Sequence, residues 1–192
     1  AFHKKVRRQR KGRADGGVGQ QKQRELAKRD ARIAAETGDE HHKLLAEASR
    51  YASELDWRKA GKAYREVIAL RPDRPEAYYN LGTALNASGH YVEAAQRYLE
   101  AKERLTVGLE LWARATAKAF TMLQEEACDE MAKPEWWNDE GLKALSARVV
   151  RAAPNDESAH TMRAIVLSGG LGAWEAGPRS AAELKEAATY CE

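Results

Sequence analysis

The chain has 192 residues, 43% of them hydrophobic and 32% charged, with a formal net charge of +3 and a mean hydropathy of −0.70. No apolar run approaches the roughly 20 residues of a membrane-spanning helix, which predicts a soluble protein with no transmembrane segment. Cys128 and Cys191 form neither a Cys-x-x-Cys pair nor a disulfide framework, so the cysteine usage fits a reducing intracellular compartment, either the cytoplasm or an organelle matrix or stroma.

The charge is unevenly spread. Residues 1–32 hold 12 Lys or Arg against 3 acids, and the remainder holds 20 against 26. The first 13 residues include Lys4, Lys5, Arg7, Arg8, Arg10, Lys11 and Arg13 with no acid and almost nothing to bury, so this basic arm is expected to order only against a partner. Its acid-poor, Arg-rich composition and the absence of an initiator Met fit a processed product or a fragment, and also suit the remnant of an organellar targeting segment. Gly16, Gly17 and Gly19 are expected to break the chain before a polar helix from about Gln20 to Glu36, ended by Gly38. Arm and polar helix together make a first segment, 1–38, ahead of a helical domain, 39–192.

Within that domain two stretches match at a spacing of 34: Leu44 with Tyr78, Ala48 with Gly82, Tyr51 with Leu85, Trp57 with Tyr91, Ala60 with Ala94, and Tyr64 with Tyr98. A fixed period with matched large and small positions signals a stacked helical repeat, in which one unit cannot bury its apolar face alone. In the second copy, Tyr78, Leu81, Gly82 and Leu85 precede Gly89, and Tyr91, Ala94, Tyr98 and Ala101 follow it. These spacings give two amphipathic helices. Gly82 and Ala94 are small where backbones must approach, and Pro72 terminates the first copy.

A third copy starts in phase, with Trp112 falling 34 residues after Tyr78 on an Ala-rich helix through Phe120 and Met122. Counting back from Pro154 puts its second helix at about Asp139 to Ala152, so the unit 109–156 is 14 residues longer than the period. The extra length holds Glu125 to Asn138, including Pro134, Trp136 and Trp137. A fourth copy begins after Pro154 with Asp156 as N-cap and Ala159, Met162, Ala164, Ile165 and Leu167 as apolar positions. After the Gly-rich stretch 169–177, Ser180 and Glu183 form a capping box that opens a helix expected to be still running at Glu192, so that the chain stops in mid-repeat.

This pattern resembles the tetratricopeptide repeat family, whose signature runs bulky residue, x2, Leu-Gly, x2, aromatic, then Ala, x3, aromatic, and a closing Pro. Tyr78, Leu81, Gly82, Leu85, Ala94 and Tyr98 carry the match. The resemblance covers roughly 41–192, in units of about 41–74, 75–108, 109–156 and an incomplete 157–192. It implies an all-α, α-α superhelical solenoid of antiparallel helix pairs. It further implies that the first helices of successive pairs line a groove for an extended peptide or partner helix. Those positions are Leu45 and Ser49; Tyr79, Asn80, Thr83 and Asn86; Ala113, Ala117 and Phe120; and Thr161, Ile165 and Ser168. One branch of the family grips acidic chaperone C-termini through a clamp of Lys, Arg and Asn. Here Asn80 fits one clamp position, but Leu45, Ser49, Ala113 and Ala117 stand where the clamp needs Lys, Asn, Lys and Arg. No chaperone-tail binding is therefore expected.

No catalytic set emerges. Asp15 to Lys22 lacks the Gly-Lys-Ser/Thr of a phosphate loop and follows a basic run instead of a strand, and Gly169 to Gly172 reads as a connector. The histidines, His3, His41, His42, His90 and His160, lack metal-ligand spacing, and His41 and His42 read as a solvated helix terminus. Glu125, Glu126, Asp129 and Glu130 read as a solvated acidic face, and Cys128 as a buried small hydrophobe. Trp136 and Trp137 point in different directions on any regular backbone. One of them is thus a possible interface anchor, against the favoured alternative that both pack the enlarged third repeat.

The expected function is a non-catalytic protein–protein interaction scaffold with no cofactor and no metal, a subunit or assembly factor of a larger complex that docks proteins through the groove and the basic arm. Two alternatives stay open. One is a nucleic-acid- or ribosome-associated module in which residues 1–32 meet RNA or another anionic surface; the other is the helical regulatory segment of a larger enzyme.

Overall fold

The structure, a computed structural model, describes residues 16–169 and 174–190. The seven cations of the basic arm, and Cys191 and Glu192, lie outside the described residues. Over the described residues the chain is all-helical with no strand, and within each compact unit consecutive helices pack side by side, consistent with a TPR-like solenoid. It divides into two compact units at Arg71/Pro72.

The first unit comprises α1 (Gly16–Thr37), α2 (Glu40–Ser53) and α3 (Trp57–Leu70). The expected break at Gly16, Gly17 and Gly19 is instead the first turn of α1, because glycine weakens a helix by about 1 kcal/mol without forbidding it. The polar helix is not an appendage. It packs along α2, burying Asp30 and Ala34. Asp39 and Asp56 cap α2 and α3 by accepting from the backbone N–H of His41 and Lys59. Ala48 and Ala60 are both 0% exposed where α2 and α3 meet. Leu55, after α2, has a φ of +62°, the left-handed conformation that Gly89 adopts at +82° one period later.

The second unit comprises α4 (Pro75–Ala87), α5 (Tyr91–Arg104), α6 (Glu110–Leu123), a 3₁₀ turn (Glu126–Cys128), α7 (Asp139–Ala152), α8 (Glu157–Ser168) and α9 (Ala181–Thr189). Pro75 occupies the first turn of α4, where its missing N–H costs nothing. At the α4–α5 contact, Gly82 leaves room for the fully buried ring of Tyr98: a Cβ there would lie 2.9 Å from ring carbons. Asn138, Asp156 and Ser180 cap α7, α8 and α9, the last through a complete capping box. The bounds of α7 fall where the position of Pro154 put them. α9 spans Ala181–Thr189 with Tyr190 as its C-cap, and Cys191 and Glu192, to which a continuing helix was expected, lie outside the described residues.

Candidate functional site

The expected binding positions divide by what covers them. In the first unit Leu45 is half-buried, whereas Ser49 is 1% exposed, with its hydroxyl 3.4 Å from that of Tyr64 on α3. Ser49 therefore serves the α2–α3 packing and does not line an open groove. Burial also pushes the Tyr64 phenol up to about 12.

On α4 of the second unit, Tyr79 is 8% exposed and meets Tyr98 edge-on at 5.5 Å between ring centroids. Tyr98 donates its hydroxyl to Thr83 Oγ1 at 3.1 Å, and Thr83 donates to the carbonyl of Tyr79. Tyr79 and Thr83 are thus fixed from behind. Asn80 and Asn86, half-buried, belong to the same helix stripe and carry carboxamides with both donors and acceptors. Arg114 of α6 borders this face, its guanidinium 5.5 Å from the Tyr79 ring and its Nε 3.2 Å from Asp156 at the cap of α8. Arg114 is not marked by the repeat pattern. The one signal available was a cation directly after the groove position Ala113.

On α6, Ala113, Ala117 and Phe120 are each 0% exposed, so they do not form an accessible groove. The chain's own aromatics pack on Phe120. Trp137 lies 5.4 Å and Trp174 5.9 Å from the Phe120 ring, Trp136 packs on Trp137 at 5.8 Å, and Trp137 meets Trp174 at 6.1 Å. Ala113 and Ala117 belong to the same buried cluster, with Leu142, Leu145, Val149 and Met162.

Several contacts fix the inserted segment. Lys133 Nζ donates to the carbonyls of Leu123 and Cys128 at 2.9 and 2.8 Å, satisfying a group left open at the end of α6 and adding to the bond that the Cys128 carbonyl accepts from the Met131 N–H. Gly141 lets the chain cross the first turn of α7, since a Cβ there would sit 2.8 Å from the Trp136 carbonyl. Lys102 stands 5.5 Å from the Trp136 ring, and burial lowers its pKa. Trp136 and Trp137 are both half-buried against the core cluster.

Trp174 stands outside the repeat pattern and carries no signal within it. It lies in the Gly-rich stretch taken as a connector, yet its Nε1 donates to Asp139 at 3.2 Å and it is 8% exposed. Residues 170–173 of that stretch fall outside the described residues. Arg179 closes the assembly by donating to Asp139 Oδ2 at 2.9 Å and to the carbonyl of Val166 at 3.0 Å. With Arg179, Trp174 and Lys143 around it, the Asp139 carboxyl is held well below the usual range.

His41 is 4% exposed, so the terminus it shares with His42 is not the solvated one expected. Donor atoms of Asp39, His41 and His42 converge within 4.8 Å, a grouping able to hold a metal. Yet the Asp39 carboxylate already accepts from His42 Nδ1 at 2.9 Å, from the His41 N–H at 3.0 Å and from Arg71 at 2.8 Å. These contacts hold the Asp39 carboxyl below its ordinary value, the His42 bond first. A cation would have to displace the Arg71 guanidinium.

The acidic residues Glu126, Asp129 and Glu130 are exposed, and Cys128 is 0% exposed, with burial raising its thiol pKa. Such a thiol is poorly suited to nucleophilic chemistry. No described helix is long and apolar enough to cross a membrane.

Against known families, a model described as TPR repeat matches residues 50–89, from within α2 through α3 and α4. No curated protein matches the chain.

Proposed function

We propose that this chain, whose residues 50–89 carry a TPR repeat, is a non-catalytic interaction scaffold, acting as a subunit or assembly factor of a larger multiprotein complex. TPR repeats generally bind proteins, and the α4 face is the part of the second unit that supports this reading best. The observation that carries it is a contrast between neighbouring helices. On α4, Asn80 and Asn86 lie on a stripe backed by the Tyr79–Thr83–Tyr98 bonds, whereas the equivalent stripe of α6 is filled by Trp137 and Trp174.

Carboxamides pair with the N–H and C=O of an extended chain whatever its side chains, so they suit a backbone ligand better than a charged tail. The basic arm is the second proposed docking element. The chaperone-tail clamp is not proposed, because Leu45, Ser49, Ala113 and Ala117 supply no cation for a carboxylate.

The test is affinity capture from native extract with the full chain, alongside an Asn80→Ala/Asn86→Ala variant. A discrete set of proteins held by the wild type and released by the variant is expected. A monomeric chain that retains no protein would refute the reading.

A further inference from the structure

In the first unit α1 and α3 each carry more cations than acids, an excess that the net value hides. On α3 the core side is Ala60, Ala63, Tyr64 and Val67, all buried. Directly opposite stand Arg58 and Lys62, four residues apart and exposed, and Lys62 has 82% of its side chain in solvent. On α1 the core side is Asp30 and Ala34, and the opposite side carries Arg24, Lys28 and Arg32, again four apart and exposed. Arg32 is 74% exposed, and its Glu36 partner is 3.9 Å away.

Of the acids of the same unit, Asp39, Glu40, Glu47, Glu54 and Asp56 lie on α2 or at helix caps, whereas Glu25 on α1 is exposed, and Glu36 on α1 and Glu66 on α3 stand 3.9 Å from Arg32 and Lys62. Both α1 and α3 pack on α2, so the two helices belong to one compact body. In sequence, α1 directly follows the arm with its seven cations.

We propose that the outward stripes of α1 (Arg24, Lys28, Arg32) and α3 (Arg58, Lys62) form a binding surface for the phosphate backbone of a single-stranded nucleic acid. The proposal concerns a different face and a different partner class from the α4 reading. A four-residue step along a helix is about 6 Å, comparable to the step between successive phosphates on one strand. A flexible strand can follow two separate ridges, which a stiff duplex cannot.

No aromatic side chain is exposed among the described residues of this unit, so bases have nothing to stack on and recognition rests on charge alone. A lipid surface is disfavoured by the same faces. Among the described residues the outward side of α1 offers only Ala31 and Ala35 as apolar residues, and Leu70 at the end of α3 is the one large exposed apolar side chain on these two helices.

The experiment measures binding of the full chain to a fluorescent 20-nucleotide oligo-uridine across a salt series. Three variants accompany it: R24A/K28A/R32A, R58A/K62A, and the control R151A/K185A, whose exposed cations lie in the second unit. Each phosphate contact contributes roughly −0.7 to the slope of log K against log salt for single strands. The α1 variant should therefore reduce the slope by about 2 and the α3 variant by about 1.4, each with at least a tenfold loss of affinity at 50 mM salt, while the control keeps wild-type values.

Alanine is the best helix former, and unchanged thermal midpoints would show that the fold is intact. The proposal is overturned if R58A/K62A leaves slope and affinity at wild-type values, or if the control loses as much. It is equally overturned if anionic phosphatidylserine vesicles or poly-glutamate of equal length bind while oligo-uridine does not.

Discussion

Replacing Gly82 with alanine sets two effects of known size against each other. In a helix interior alanine gains about 1 kcal/mol over glycine. The new Cβ, however, would stand 2.9 Å from Cδ1 and Cε1 of Tyr98 and 3.1 Å from its Cγ. The ring cannot step aside easily: it is 0% exposed, its hydroxyl is bonded to Thr83 at 3.1 Å, and Tyr79 packs against it at 5.5 Å. Overpacking of this kind costs about 1–3 kcal/mol, so the net loss is about 1 kcal/mol, or roughly 4 °C in the midpoint of a unit this size. Thermal unfolding followed by far-UV circular dichroism reads it. In a Tyr98→Leu background the ring is absent and the propensity gain should reappear, so Gly82→Ala is then stabilising. A higher midpoint for Gly82→Ala in the otherwise wild-type chain would refute the reasoning, because it would mean the Tyr98 ring yields.

Leu55→Gly should raise stability by about 0.5–1 kcal/mol, since leucine at φ +62° carries left-handed strain while its half-exposed side chain has little burial to lose; a lower midpoint contradicts this. Trp174→Ala should cost about 3 kcal/mol in urea unfolding by uncovering Phe120 and leaving Asp139 one donor short, with Trp174→Phe keeping most of the packing; a loss below about 1 kcal/mol would show that Trp174 does not hold the cluster. Acid should loosen α9. The Glu183 carboxyl is lowered to about 2 by the Lys143 ammonium and the Ser180 cap, and a depressed carboxylate contributes stability that is present above its ordinary value and lost as pH falls through the folded one. The hydrogen-exchange protection of α9, taken relative to the intrinsic exchange rate at each pH, should therefore fall between about pH 5 and 2, and Lys143→Ala should shift that window upward; identical profiles would dismiss the linkage.

Much of the helical register was legible in the residues themselves. The 34-residue echo located Gly82, Ala94 and Tyr98 as packing positions, and Asp156, Ser180 and Glu183 as caps, because backbone approach and unpaired helix N–H groups demand particular residue types at fixed offsets. Helix ends and glycine-rich stretches were less legible. Glycine permits both helix and turn, so α1 begins at Gly16 and not after Gly19.

Local pattern could not decide what covers each helix face. Ala113, Ala117 and Phe120 have the spacing of an open groove, and nothing in that spacing states that Trp137 and Trp174, from 17 to 61 residues downstream, return to fill it. Likewise the N-cap role of Asp39 is written in the three residues around it, whereas its engagement by Arg71 depends on α2 and α3 lying side by side. The sequence alone determined the repeat, its small and large positions and its caps, all set by contacts within a turn or one period. Tertiary structure alone decided which faces stay open, because burial is set by whichever distant segment packs there.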